Sequence, residues 1–575
     1  MLTAILRSAG CAALICLTAC QQEQTRSIPY ATTAASASGS LTELLREFTI
    51  GHYERLPNAA VNSGLHAYDG RLPDFSPEGI RERVSWLEGM RRRAASIDHA
   101  RLGVKERLYH GFLEVEIDTQ LFNIQTLKVM QNNAWYDYLA LDPNVYLARD
   151  YAPLPVRMDA CIRHVNALPA TLQAMRRTLQ PMPSGHAEGM RDYLAGLARF
   201  VTTAPNEVFA AVNDPARQAA MQLANTQAAA ALNDLAHWVE VLPRNEAFAL
   251  GAQKYAQMLW ALERIDTPIA DIKAHLERDL ERNLQSLQKA CAAFAPGMTV
   301  IECRARVAAR KPPEGPVAAA TRQVAQLENL ILERGIVTLP AERAVVVAES
   351  PPQWRSSSPY IAVPGLHETT VTPSVYYLSS PDPAWPAQEQ RDFMLSESDL
   401  MSVTTHCVWS GHILETLRSN HSGNPLAVFT YSYAYTEGWS HYSEEMMLHE
   451  ALDDDPEMAI GQLQNALMND VRALSSIGVH TGGMSIAESE QLFREKAFSD
   501  PQSARLEAAR AGFDPGAVLY SLGKLMLLKL RDDWLAAQPA STLREFHDTF
   551  LGWGDSPMRL VRSAMLGETD DGELF

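Results

Sequence analysis

The sequence predicts a mostly α-helical, two-lobed fold with a deep central cleft and a small β-sheet at the edge of that cleft. Three observations carry this. Long stretches place apolar residues at three- and four-residue spacing, the period of an amphipathic helix. Two short β-branched and aromatic runs interrupt that pattern after about Leu339. The chain has 575 residues, enough for a large core shared between two lobes.

In chain order, the first segment reads as an export signal over residues 1–19. Arg7 is the only charge before a short apolar run from Ala9 to Leu17, and Leu17-Thr18-Ala19-Cys20 follows as a lipobox. The apolar run is too short to span a bilayer. Cys20 is therefore the expected lipidation site. Gln21 stands where an Asp would retain a lipoprotein at the inner membrane, so the expected location is the outer membrane, facing the periplasm. Residues 20–40, rich in Gln, Thr, Ser and Ala, read as a tether. The body is expected over 41–575, with lobes at roughly 41–340 and 341–575.

Helical periodicity covers Leu41 to Glu54, Ser76 to Ile97, Val104 to Gln120, Met158 to Leu179, Pro205 to Val241, Ala247 to Phe294 and Thr321 to Glu333. Strands are expected at Ala344 to Ala348 and Pro373 to Leu378. Helices then resume. Ser485 and Glu488 have the spacing of a capping box, and an apolar helix is expected from Val518 to Leu535, where Gly523 permits close packing.

Lys and Arg number 50 against 68 Asp and Glu, a formal charge of −18. Phosphate binding needs a basic surface, so this balance argues against a nucleic-acid partner. Contact with the membrane is expected through the lipid anchor alone. Past Cys20 the cysteines are Cys161, Cys291, Cys303 and Cys407. Cys291 and Cys303 could pair across the Pro296-Gly297 turn, and no Cys-x-x-Cys metal motif is present.

Two stretches concentrate the chemistry. One runs Thr405-His406-Cys407-Val408-Trp409-Ser410-Gly411-His412. The other runs Tyr435-Thr436-Glu437-Gly438-Trp439-Ser440-His441-Tyr442. Imidazoles and a carboxylate with an open position are what a catalytic zinc takes. Glu437 and His441 lie one helical turn apart and share a face. Gly438 beside them suits close packing rather than a solvated helix surface. His406 and His412 are six residues apart, about 600° on a continuous helix, so a break at Ser410-Gly411 is needed to bring both to one point. His412 and Glu415 share a face. Cys407 follows His406 where a His-Glu-x-x-His peptidase carries its general base. It could instead be a thiol nucleophile, although the sequence offers it no recognisable partner. His480 and the pair Tyr520 and Lys524 supply possible donors to an oxyanion.

These motifs resemble the bacterial domain-of-unknown-function family 885, whose members are often lipoproteins with a zinc-metallopeptidase-like fold. The resemblance covers about Leu41 to Glu573. The family pattern His-Glu-x-x-Pro-Gly-His-His-x-Gln matches His406 to Glu415, and Glu-Gly-Trp-x-x-Tyr-x-Glu matches Glu437 to Glu444. Gly-x-His matches Gly478-Val479-His480, Tyr-x-x-Gly-Lys matches Tyr520 to Lys524, and Arg-x-Phe-His-Asp matches Arg544 to Asp548. The resemblance implies zinc held by His406, His412 and Glu437. His441 and Tyr442 would orient the ligands, and His480 and Tyr520 would support the transition state. The departures are Cys407 for the usual Glu, Ser410 for Pro, Ile413 for the second His of the pair, Glu415 for Gln, and Ser476 for an Asp.

The leading expectation is a zinc-dependent peptidase-like lipoprotein that hydrolyses peptides with metal-activated water, with Glu415 or Glu444 as the substitute base. The alternative is a catalytically inactive relative that binds peptide or a protein partner in the same cleft. A metal-free thiol hydrolase using Cys407 ranks last.

Overall fold

The computed structural model describes residues 37–132, 138–351, 359–381, 383–426, 431–452, 455–567 and 573–575. The signal segment, the lipobox with Cys20 and most of the tether lie outside the described residues. The last residues expected in the tether begin the first helix, Ala37–Arg55.

Helices make up most of the fold. Two long helices expected from periodicity are each divided. The run Pro205 to Val241 is cut after Val208: a short turn, Phe209–Ala211, leads to a new helix, Pro215–Val241. Asp214 starts that helix by accepting from the amides of Ala216 and Arg217, with Pro215 at the first position, where its missing N–H costs nothing. The run Ala247 to Phe294 is cut between Glu263 and Ile269, where Arg264 adopts a left-handed φ of 57° and Pro268 precedes the next helix. In both cases a Pro-based start signal overrides an unbroken apolar period. The capping box at Ser485 and Glu488 forms, and Cys291 and Cys303 are joined by a disulfide.

The small sheet comprises β1 (Val345–Glu349), β2 (Tyr360–Ala362) and β3 (Ser374–Leu378), in the order β1-β3-β2. β1 runs parallel to β3 with Val347 opposite Tyr376, and β2 runs antiparallel with Ile361 opposite Tyr376. The sequence reading missed β2, which has only three residues and follows a proline. Central β3 is the most buried strand, and Tyr376 is fully enclosed.

Three apolar cores hold the helices together. The largest joins Tyr255 to Val337 with Tyr376 to Leu574, so residues on both sides of position 340 share one core. A second lies within Val61 to Val239, and a third packs Leu41 to Ile124 with Leu426. Among the described residues no helix is long and apolar enough to cross a membrane. A cavity of about 3150 Å³ opens between these parts.

Candidate metal centre

Four helices frame the site: Glu397–Cys407, His412–His421, Tyr433–Met447 and Leu519–Ala537. The first begins at Ser396, whose hydroxyl accepts from the Asp399 amide, and delivers His406 in its last turn. The chain then bends sharply. Ser410 takes a φ of 71°, and a Cβ on Gly411 would lie 1.8 Å from the His406 carbonyl oxygen. Only glycine tolerates that approach. The bend restarts the helix at His412 and brings its ring perpendicular to that of His406, with 4.6 Å between centroids. The break needed at Ser410-Gly411 is therefore present.

The third ligand candidate arrives by close helix packing. A Cβ on Gly438 would lie 2.5 Å from the Gly523 carbonyl carbon, and one on Gly523 would lie 2.2 Å from the Ala434 oxygen. The Tyr433–Met447 and Leu519–Ala537 helices thus meet backbone to backbone, which sets Glu437 beside Tyr520 on the cavity wall. Buried Glu263 helps start the Glu437 helix by accepting from the Ala434 amide and the Ser432 hydroxyl.

His406, His412 and Glu437 converge. Glu437 Oε2 lies 3.4 Å from His406 Nε2 and 3.5 Å from His412 Nε2. One donor atom from each of the three residues falls within 4.8 Å of the others. Ligands at 2.0–2.2 Å from a tetrahedral zinc sit about 3.4 Å apart. Each of the three is also held from behind. His406 Nδ1 is 2.7 Å from Glu444 Oε1, His412 Nδ1 is 2.9 Å from the Ser440 hydroxyl, and Tyr431 donates to Glu437 Oε1 at 2.7 Å. With both Nδ1 atoms engaged, both Nε2 atoms are left for a metal. Glu437 Oε2 is buried and, among the described residues, no hydrogen bond ends on it. An orphaned carboxylate oxygen between two imidazole nitrogens fits a cation, so the residues present suit zinc.

The electrostatics agree. Burial alone would lower the pKa of His406, but the Glu437 and Glu444 carboxylates beside it raise it to about 9. Burial would raise Glu444, but His406 and His441 hold it at about 2. Glu437 lies well below its usual range against the pull of burial, because of His412 and His406. Burial lowers His412. Two carboxylates therefore demand a positive charge at this point, and without a metal a proton on His406 supplies it.

The other expected residues fall elsewhere. Glu415 accepts from Ser419 at 2.7 Å, is pushed up to about 7 by burial, and does not line the cavity. His412 is the first residue of its helix and leaves from the bend, so three-residue spacing does not carry Glu415 to the same place. Glu444 is spent on His406, Ser402 and Asn465, so neither proposed substitute base reaches the cavity. His441 is fully buried behind Glu444, with its Nδ1 3.7 Å from that carboxylate. Tyr442 turns away and meets His547 Nε2 at 2.8 Å. That contact also accounts for the Arg544 to Asp548 motif, which packs the back of the Glu437 helix.

His480 lines the cavity, but its Nε2 donates to the Ala511 carbonyl at 2.8 Å. Burial lowers its pKa to about 4, so the ring is neutral and its one proton sits on Nε2. It has no proton to offer an oxyanion. Tyr520 does: its oxygen accepts from Arg510 at 3.1 Å, and its own proton has no acceptor among the described residues. Cys407 lines the cavity against Tyr376, and burial pushes its thiol up, away from thiolate.

Sequence reasoning missed Tyr431, Ser440 and Arg510. Ser440 was within reach, since 437, 440 and 444 form one helical stripe. Tyr431 and Arg510 come from separate parts of the chain and carried no local signal.

The sequence model described as "Bacterial protein of unknown function (DUF885)" matches residues 57–565. The chain belongs to this family. Two solved structures resemble this DUF885 protein in fold. One, "a putative lipoprotein of unknown function from Shewanella oneidensis", is 18% identical with a TM-score of 0.70, covering 93% of this chain and 100% of that one. The other, "the putative lipoprotein from Colwellia psychrerythraea", is 17% identical with a TM-score of 0.77, covering 93% and 99%. No curated protein matches the chain.

Because Glu444 fixes the tautomer and direction of His406, Glu444→Gln in this DUF885 protein is expected to weaken zinc binding by about 10–100-fold while the fold is retained. Competition with a chromophoric chelator measures this. Unchanged affinity would show that Glu444 does not orient a ligand.

Proposed function

We propose that this protein is a zinc-binding peptide receptor that keeps the ligands and cleft of a metallopeptidase and has lost the general base. The observation that carries the reading is the fate of the base. Cys407 stands at its position with a buried, protonated thiol, and Glu415 and Glu444 are hydrogen-bonded away from the cavity. Zinc, when bound, supplies a Lewis acid that polarises a carbonyl. His406, His412 and Glu437 would hold it, and Glu444, Ser440 and Tyr431 would orient them. The cavity of about 3150 Å³ exceeds the roughly 300–1,000 Å³ of small-molecule sites and suits an extended peptide. The lipobox at Cys20 and the two lipoprotein-named neighbours support an anchored protein facing the periplasm.

The hydrolytic alternative keeps one supporting feature, the Tyr520 hydroxyl on the cavity wall, but lacks a group to take a proton from water. The test is to incubate zinc-loaded protein with a labelled peptide library and follow anisotropy and new termini together. Binding without cleavage is expected. Cleavage that disappears in the His412→Ala variant would overturn the receptor reading.

A further inference from the structure

Beyond the metal-ligand candidates the cavity wall holds a second polar cluster, supplied by the helix Pro501–Phe513 and the helix Pro456–Thr481. Arg510 donates through Nη2 to the hydroxyl oxygens of Tyr433 at 3.2 Å and Tyr520 at 3.1 Å, and through Nε to Asp514 at 2.9 Å. Its Nη1 has no partner among the described residues. Tyr433 spends its own proton on Asp514 at 2.9 Å. Arg472 approaches the Tyr520 ring with its guanidinium carbon 5.6 Å from the centroid, and Arg510 does so at 5.4 Å. Each of the three Arg472 nitrogens is engaged, by Glu507 or Asn469. The cluster therefore presents one unspent guanidinium nitrogen, Arg510 Nη1, and one unspent phenolic proton to the same cavity.

Its position relative to the ligand candidates is bounded by the aromatic ladder that joins them. Tyr431 donates to Glu437, the Tyr431 and Tyr433 centroids are 5.5 Å apart, and those of Tyr433 and Tyr520 are 5.4 Å apart. Two such steps are within the reach of about three extended residues, at roughly 3.3–3.6 Å each.

We propose that Arg510, with the Tyr520 hydroxyl, anchors the C-terminal carboxylate of a bound peptide, so that the last two or three residues lie between this anchor and the His406, His412 and Glu437 cluster. The ligand class is then a short peptide with a free C-terminus. A guanidinium N–H gives a carboxylate a charge-assisted hydrogen bond, stronger than one between neutral groups. Glu507 and Asp514 already offset the charges of Arg472 and Arg510. The incoming carboxylate is thus held by directed hydrogen bonds from Nη1 and Tyr520 rather than by a general positive field, which selects one carboxylate at one place. A carboxylate could also come from an Asp or Glu side chain, and the test separates the two sources.

The inference rests on the receptor reading, and its test reads a different quantity. N-terminally fluorescein-labelled five-residue peptide libraries are prepared as free acids, as C-terminal amides, and as amides with one internal Glu. Each is titrated by anisotropy against the full protein, with zinc and with chelator, while mass spectrometry follows cleavage. The acids are expected to bind about 10–100-fold more tightly than either amide, the usual scale for hydrogen bonds to a charged group. In Arg510→Met that preference should shrink to about threefold or less, with amide affinity unchanged. Tyr520→Phe, which leaves Arg510 in place, should reduce it partly. Equal binding of acids and plain amides by wild type overturns the anchor, as does internal-Glu binding equal to that of the acids. So does full preference in a folded Arg510→Met. Cleavage would refute the receptor reading and leave the acid-to-amide ratio readable under chelator.

Discussion

On the receptor reading, Cys407→Glu is expected to yield a protein that cleaves peptides. General acid–base catalysis contributes about 10²–10⁴-fold, so turnover should rise above the wild-type background by that order. Residue 407 ends the His406 helix and lines the cavity, so a longer acidic side chain has open space ahead of it. On its buried side lies the Tyr376 hydroxyl, a donor within reach of the new carboxylate. Cys407→Gln, of the same size without a basic oxygen, should stay silent. The reading fails if Glu and Gln behave alike in folded, zinc-bound protein. It also fails if wild type already turns over at the rate of the Glu variant.

Gly411→Ala should be the most damaging single methyl in the site. Its Cβ would stand 1.8 Å from the His406 carbonyl oxygen, a distance no side-chain rotation relieves, so the bend itself must open. The stability cost should be about 2–4 kcal/mol, the upper range for overpacking against backbone. The same movement would separate the two imidazoles, so zinc affinity should fall at least about 100-fold. Denaturant titration and chelator competition on one preparation measure both. A variant with wild-type stability and zinc affinity would show that the bend is not held by the absence of a Cβ.

Much of this arrangement was legible because it is local. The His406 and His412 pair, the break required between them, the Glu437 stripe and the close-packing role of Gly438 all follow from residue type and helical period. So do β1 and β3. What failed needed information from elsewhere in the chain. Glu415 was placed by counting three residues along an ideal helix, but His412 sits at the bend where that count does not apply. Glu444 reads as a free base in one dimension and is an orienting group once His406 folds over it. His480 looks like a donor until its proton is seen to go to the Ala511 carbonyl, 31 residues away. Tyr442 pairs with His547 across 105 residues, and the Arg510 cluster assembles from four separate helices. Such contacts carry no sequence period.

The central claim is that His406, His412 and Glu437 hold one zinc. The direct measurement is zinc content by elemental analysis after dialysis, combined with zinc titration calorimetry from pH 6 to 9.5. About one zinc per chain is expected in wild type and almost none in His412→Ala. The proton on metal-free His406, with a pKa raised to about 9, must leave before its nitrogen can bind metal. Apparent affinity should therefore rise by about tenfold per pH unit well below 9 and flatten above, with one proton released on binding. Zinc that remains stoichiometric in a folded His406→Ala, His412→Ala double variant would contradict the account. So would wild-type protein that takes up no zinc at any pH in that range.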